Sequence, residues 1–131
     1  MATELPALAK SLLDGRNHVV VSTVNPDGSP QSSVLWATHE GDDLLLSTIK
    51  QRAKYRNWLR EPRTSVVILD ESNLYAYVEV RGSVTLTEEG GPELIERLSQ
   101  IYVGESYTGD QGTDNVRVVT RLTPEKVFVR D

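Results

Sequence analysis

Positive charge is concentrated in one short stretch of this acidic chain. Residues 50–63, KQRAKYRNWLREPR, contain six Lys and Arg against one Glu, whereas the whole chain of 131 residues has a formal net charge of −5. Lys50, Arg52 and Lys54 lie where a helix is predicted to begin, although the positive end of the helix dipole disfavours cations there. A compensating anion is therefore expected, unless the charges simply form a solvated helix face.

A phosphate group would suit this helix start. Exposed backbone N–H groups of the first turn can donate to phosphate oxygens. Arg52 would add a bidentate fork and Lys54 a point charge. Asn57, three residues after Lys54, would project from the same side of the helix. These residues predict a small, local anion site.

The elements around this site are predicted to be mainly β-strands with inserted helices. Apolar periodicity and turn residues predict helices at 4–15, 51–60 and 92–103. They also predict strands at 18–24, 31–38, 43–49 and 65–70, a strand pair within 75–88, and two closing strands at 116–122 and 126–130. Gly82 is expected at a bulge or corner. Residues 105–115 form a polar loop and a candidate flap. Six or seven short antiparallel strands predict a small β-barrel, because closure removes open sheet edges.

Composition narrows the possible functions. The length predicts a single domain over residues 1–131. The chain has no Cys and only two His, so no metal site is expected. Its acidic balance argues against nucleic-acid binding. No apolar run is long enough for a membrane helix, and the start lacks a signal-peptide pattern, so a cytoplasmic protein is expected.

A known superfamily shares the order of these elements. The segment is TVNPDGSPQSSVLWATHEGDDLLLSTIKQRAKYRNWLREPRTSVVIL, residues 23–69, in which three strands precede an R-A-K-x-R-N helix and E-P-R. It resembles the pyridoxamine 5′-phosphate oxidase-like superfamily, whose members form a six- or seven-stranded split β-barrel of the FMN-binding type. Within it, the segment resembles the short oxidoreductases that use the deazaflavin coenzyme F420.

The resemblance implies a set of cofactor-binding residues. In the superfamily the helix after the third strand holds the cofactor phosphate, the end of that strand lines the ring and its ribityl chain, and the second strand lies beside the ring. The matching residues are Gln31, Ser33, Ser47, Thr48, Arg52, Lys54, Asn57 and Tyr75. The resemblance also implies a homodimer whose partner contributes residues near the ring, with the strand around Tyr75 and Tyr77 as the expected contributor.

The implied activity is hydride transfer from F420 to an organic acceptor such as a quinone, an enone or a tetrapyrrole. The catalytic acid is unknown, and the candidate sources of the proton are solvent, Tyr75 and Tyr77. Two alternatives stay open at this point. One is an FMN oxidoreductase of the same fold, because the same helix start can hold the FMN phosphate. The other is a non-catalytic protein that binds a flavin, F420 or haem.

Overall fold

Seven strands and three helices make up the computed structural model, which describes residues 2–131. In chain order they are α1 (Ala7–Asp14), β1 (Val19–Val24), β2 (Pro30–Leu35), β3 (Ala37–Glu40), β4 (Asp43–Ile49), α2 (Ala53–Arg60), β5 (Arg63–Leu69), β6 (Tyr77–Thr87), α3 (Gly91–Tyr102) and β7 (Arg117–Arg130). The three predicted helices are confirmed within three residues at each end. No helix among the described residues is both long and apolar enough to cross a membrane.

The strands form one antiparallel sheet that curls back on itself. Their order across the sheet is β2-β1-β5-β6-β7-β4-β3. β2 and β3 therefore lie at opposite ends of the sheet, although only Trp36 separates them in the chain. One residue can join the two ends only if the sheet bends round until they are close. The predicted mainly β split barrel is confirmed.

The predicted strand at 31–38 is wrong, because it is two strands. Leu35 is the last residue of β2 and pairs with Val19, whereas Ala37 is the first residue of β3 and pairs with Leu46. Trp36 leaves both ladders and stacks on the ring of Tyr102, with 5.5 Å between ring centroids. A continuous β-branched and aromatic run gave no sign of this change of partner.

The strand pairs predicted at 75–88 and at 116–130 are also wrong, since each region is one long strand. β6 has 11 residues and β7 has 14. The predicted bulge at Gly82 is confirmed, because the register between β6 and β7 shifts there. A Cβ atom on Gly82 would collide with the carbonyl oxygen of Thr123. Glycine thus lets β6 continue through the bulge as one strand.

The main core fills the inside of the curled sheet. Alternate residues of β1, β5 and β6 point inward, as the period of a strand requires; the fully buried ones include Val19, Val21, Val66, Ile68, Val78 and Val80. α1 covers one end of this core and α2 inserts Trp58, which is 2% exposed. A second apolar cluster joins α3 to β4 and β7.

The hydroxyl of Tyr102 ties α3 to Ala37 at the start of β3 and to Asn17, which precedes β1. It lies 2.7 Å from the carbonyl oxygen of Asn17 and 2.9 Å from that of Ala37, and it accepts the Ala37 N–H at 3.2 Å. We expect Tyr102→Phe to lower the free energy of unfolding by about 1 to 2 kcal/mol, because it leaves a buried N–H unpaired. Urea unfolding measures this loss, and an unchanged midpoint would contradict it.

Candidate cofactor site

The start of α2 has no built-in compensation for its charges. The helix begins after Arg52, no side chain caps its first turn, and no acidic residue lies in that turn. The helix is instead held by its buried face, where Trp58 enters the barrel core. Tertiary packing therefore fixes a helix start that is electrostatically unfavourable by itself.

Asn57 is part of this anchoring. Its amide nitrogen donates to Thr23 Oγ1 at 2.9 Å and to Asn25 Oδ1 at 3.1 Å, and its Oδ1 accepts from Arg60 at 3.1 Å. The guanidinium of Arg60 also donates to the Val24 carbonyl. Asn57 thus fixes α2 against β1, and direct contact between Asn57 and a cofactor stays a prediction.

Three cations converge on a cavity of about 240 Å³ beside the start of α2. We call it the cation pocket; its lining residues are Ser33, Val34, Leu35, Ser47, Thr48, Ile49, Arg52, Lys54 and Arg117. The pocket lies between β2 and the end of β4. Four predicted cofactor-binding residues besides Ser33 line it: Ser47, Thr48, Arg52 and Lys54. Within residues 2–131, neither Arg52 nor Lys54 forms an ion pair with a carboxylate.

Lys54 is unusual because it is a buried cation without an anion. Only 8% of the residue is exposed. Burial lowers the pKa of its ammonium group, and repulsion from Arg52 and Arg117 lowers it further. A buried charge normally has a partner. An anionic ligand bound here would supply one and would oppose the lowering of the Lys54 pKa.

Lys54 should therefore reduce the stability of the free protein. We expect Lys54→Met to raise the free energy of unfolding by about 1 kcal/mol, while abolishing stabilisation by inorganic phosphate. The difference from wild type should shrink as pH rises through the lowered pKa of Lys54, because the neutral amine is not penalised by burial. Thermal unfolding with and without phosphate measures both effects.

Lys50→Met is the matched control for this substitution. Lys50 forms an ion pair with Glu88 and does not line the cation pocket. Its replacement should leave the phosphate effect unchanged and should not stabilise the protein. A destabilised Lys54→Met variant would contradict our interpretation of Lys54.

Two hydroxyl groups in the pocket also have no partner. Ser33 Oγ and Thr48 Oγ1 are buried and make no hydrogen bond within the described residues. They are two of only four such side-chain atoms in that part of the chain. Buried polar atoms are almost always paired in folded proteins. Both hydroxyls can donate to the oxygens of a phosphate or the polar edge of a ring, so the pocket fits a phosphorylated cofactor.

A second cavity of about 400 Å³ continues from the cation pocket. We call it the aromatic groove; its lining residues are His18, Val34, Leu35, Trp36, Ser47, Ile95, Leu98, Tyr107 and Arg117. The two cavities share Val34, Leu35, Ser47 and Arg117. One end of the combined site is therefore cationic, and the other end is apolar and aromatic.

Sequence reasoning missed Arg117, which lies at the junction of the two cavities. Its Nε donates to Asp110 at 2.7 Å, its Nη1 to Ser47 Oγ at 3.3 Å and its Nη2 to the Tyr107 hydroxyl at 2.7 Å. The only signal for it was a single cation at the start of an apolar strand, VRVVTRL. Its partners come from a loop and from β4, so their convergence depends on the fold.

The loop at 105–115, which was considered as a flap, is fastened to the rest of the structure. The Tyr107 N–H donates to the Glu96 carboxylate at 3.0 Å, and the Ser99 hydroxyl donates to the Glu105 carbonyl at 2.7 Å. Asp110 joins the same loop to Arg117. The loop therefore forms one wall of the aromatic groove.

Besides Asn57, three predicted residues line neither cavity of this chain: Gln31, Tyr75 and Tyr77. Gln31 Oε1 accepts the Thr23 hydroxyl at 2.9 Å, beyond the cation pocket. Tyr75 is 82% exposed in the connection between β5 and β6, and Tyr77 begins β6. Their contacts with a cofactor, including one bound to a second copy of the chain, stay predictions.

Known proteins share this arrangement of strands and helices. The profile described as pyridoxamine 5′-phosphate oxidase matches residues 5–131, which is nearly the whole chain. The chain belongs to this family. A solved structure called an F420 reductase is similar to the chain, with 28% identity and a TM-score of 0.83 over 95% of this chain and 98% of that one.

More distant relatives share the fold of this family member. A conserved hypothetical protein from Mycobacterium tuberculosis is 23% identical, with a TM-score of 0.77 over 99% of this chain and 86% of that one. An FMN-binding protein related to pyridoxamine 5′-phosphate oxidase, from Nostoc punctiforme, is 14% identical, with a TM-score of 0.69 over 97% and 84%. These two similarities show that the fold is shared.

Proposed function

We propose that this protein is an oxidoreductase that uses coenzyme F420 to transfer hydride to an organic acceptor. The observation that carries the proposal is the cation pocket, where Arg52 and Lys54 have no carboxylate partner and lead into the aromatic groove. A ligand in which a ribityl chain joins a flat conjugated ring to a phosphate matches both halves of this site. The likeness to a protein called an F420 reductase favours the deazaflavin.

The residues that line the two cavities would have two roles, binding the phosphate and contacting the ring. Arg52 and Lys54 would bind the phosphate by charge-assisted hydrogen bonds, and the hydroxyls of Ser33 and Thr48 would donate to neighbouring oxygens. Val34 and Trp36 would contact the ring through their apolar surfaces. The cofactor supplies the hydride chemistry, while the chain supplies binding, orientation and exclusion of water.

Arg56 gives additional support for the deazaflavin, whose acidic tail has no counterpart in FMN. Its guanidinium donates to the Gln51 carbonyl and has no carboxylate partner within residues 2–131. It lies on α2, the helix that would hold the phosphate, and could therefore attract further negative charge on the same ligand.

We also propose that the protein acts as a homodimer. Several large apolar side chains are exposed on a single chain; they are Val34, Leu74, Tyr75, Phe128 and Val129. An exposed apolar surface of this kind is typical of a protein interface. Val34 also lines both cavities, so a second copy of the chain that covered it would help to enclose the ring. Sedimentation of the purified protein tests this.

Titration of the purified, ligand-free protein with F420 and with FMN tests the function. We expect F420 to bind more tightly and to quench Trp fluorescence. Most of the quenching should disappear in Trp36→Phe, because Trp36 lines the aromatic groove whereas Trp58 is buried in the core. Reduced F420 should then be oxidised by at least one quinone, enone or tetrapyrrole.

Other results would replace this proposal with a different one. Tighter binding of FMN, with a protein that purifies yellow, would indicate an FMN oxidoreductase. Binding of F420 without turnover of any acceptor class would indicate a carrier. Failure to bind either cofactor would contradict the proposed use of the cation pocket.

A further inference from the structure

We propose that His18 is a catalytic acid that gives a proton to the carbonyl oxygen of the acceptor in the aromatic groove. The inference rests on the proposed function and adds a residue to it. His18 precedes β1 and lines the aromatic groove, but it does not line the cation pocket. Its imidazole is partly exposed, so it can reach both a ligand and solvent.

The position of His18 suits the reacting end of the site. Along β2, Ser33 lines the cation pocket and pairs with Val21, whereas Leu35 pairs with Val19, the residue after His18. A strand advances about 3.3 Å per residue, so the three steps from Ser33 to Trp36 cover roughly 10 Å. A cofactor held by its phosphate at Lys54 would therefore extend its ring towards His18.

Glu71 orients the imidazole. Its Oε2 lies 3.0 Å from His18 Nδ1 and accepts the His18 backbone N–H at 2.7 Å. The Glu71 backbone N–H donates in turn to Asn17 Oδ1 at 2.8 Å. The hydrogen bonds from His18 lower the pKa of the Glu71 carboxyl group, so Glu71 is an anion at neutral pH. With Nδ1 held by Glu71, Nε2 has no hydrogen-bond partner in residues 2–131 and is available to a ligand.

The other ionisable groups around the imidazole are consistent with this role. The ring of Tyr102 packs edge-on against it at 5.3 Å between centroids, and burial raises the pKa of the Tyr102 hydroxyl. Across the groove lie Tyr107 and Arg117, and the charge of Arg117 is balanced by Asp110. Glu71 is thus the anion that directly contacts His18.

The proposed proton transfer balances for an enone acceptor. Hydride from reduced F420 adds to the β-carbon of the enone, and the π electrons move to the carbonyl oxygen, which becomes an enolate. The Nε2–H bond of protonated His18 breaks, and the proton forms a new O–H bond with that oxygen. Neutral His18 then regains a proton from solvent, so the acceptor gains two electrons and two hydrogens.

His39 provides a matched control within the same chain. Its Nε2 lies 3.2 Å from Asp14 Oδ1, so it is also a histidine beside a carboxylate. It lies on β3 and lines neither the cation pocket nor the aromatic groove. The two histidines therefore share a carboxylate contact, and they differ in that His18 lines the aromatic groove.

The test compares His18→Gln, His18→Asn, His39→Gln and Glu71→Gln in the full chain, with reduced F420 and an enone. We expect both His18 variants to lower kcat about 100-fold and to lose the decline in rate at alkaline pH, which His18 deprotonation causes. Their F420 affinity should stay within about twofold of wild type. His39→Gln should match wild type in rate and pH profile.

Glu71→Gln tests the positioning role through two readouts. It should lower kcat while the F420 affinity stays within about twofold of wild type, because a neutral amide holds the Nδ1 proton of His18 more weakly than a carboxylate does. NMR spectra of the ligand-free protein in a His39→Gln background, where His18 gives the only imidazole signals, should show a changed proportion of the two imidazole tautomers. These changes would not arise from a purely structural hydrogen bond.

Several outcomes would overturn the assignment. If both His18 variants bind F420 and keep the wild-type rate and pH profile, His18 is not the acid, although the proposed function stands. If Tyr75→Phe or Tyr77→Phe removes the alkaline decline instead, a tyrosine supplies the proton. If wild type neither binds F420 nor reduces an acceptor, the proposed function fails and this inference fails with it.

Discussion

Replacing Arg52 and Lys54 together with alanine should weaken the binding of F420 and FMN by at least about 100-fold. Both side chains line the cation pocket and have no carboxylate partner in the described chain. A hydrogen bond to a charged group contributes about 1.5 to 3 kcal/mol. Two such bonds amount to roughly 3 kcal/mol or more, and 1.4 kcal/mol corresponds to a tenfold change in affinity. Fluorescence titration measures the loss.

A ligand without phosphate provides a sharper form of this experiment. Riboflavin has the ring and ribityl chain of FMN but lacks its phosphate, so its weaker binding should hardly change in the double variant. A matched control removes Arg81 and Lys126, which face each other on β6 and β7 and do not line the site. If riboflavin and FMN lost affinity equally, or if the control behaved like the double variant, the cations would not act through phosphate.

Gly82→Ala should destabilise the protein by roughly 3 kcal/mol or more, which is among the largest effects expected for a single methyl group. The new Cβ would collide with the backbone carbonyl of Thr123, at the point where the register between β6 and β7 shifts. A backbone atom cannot move aside as a flexible side chain can. The two longest strands would have to separate locally, and Leu122 lies fully buried beside them. Chemical unfolding, or the yield of folded protein, measures the effect.

Gly28→Ala is the comparison for this prediction. Gly28 lies in the turn between β1 and β2 with φ of 87°, and an added Cβ would meet no atom within 4 Å. Gly28→Ala should lower the free energy of unfolding by about 1 kcal/mol. The left-handed backbone conformation is strained for alanine, but the added methyl group collides with nothing. Equal effects at the two positions would show that backbone conformation, rather than the collision at the bulge, decides the loss.

The fold and the cation pocket could be predicted from sequence because their signals are local. The charges of Arg52 and Lys54 and the absence of an acidic residue in the first helical turn all lie within a few residues. The bulge at Gly82 likewise depends on one residue type in a β-branched run. Residues 23–69 also contain the order of elements by which the superfamily could be recognised.

The remaining site residues could not be predicted because they meet only through the closed sheet. Glu71 is 53 residues from His18, and Ser47 is 70 residues from Arg117. Neither pair belongs to a short motif. The division of residues 31–38 at Trp36 is also set by tertiary structure, because the stacking partner of Trp36 lies on α3. Strand propensity correctly predicted extended backbone on both sides of Trp36. It could not predict that the residues before Trp36 pair with β1 and those after it pair with β4.

Because β3 is short, the second half of β4 has one unpaired edge. β3 pairs with β4 only from Asp43 to Leu46, so Ser47, Thr48 and Ile49 have no strand on that side. Ser33 lies across the gap on β2, and the cation pocket occupies the space between. A phosphorylated ligand there would join two strands that share no backbone hydrogen bonds. Such a ligand would act as a reversible crosslink between β2 and β4. Tighter cofactor binding would therefore also stabilise the closed form of the sheet.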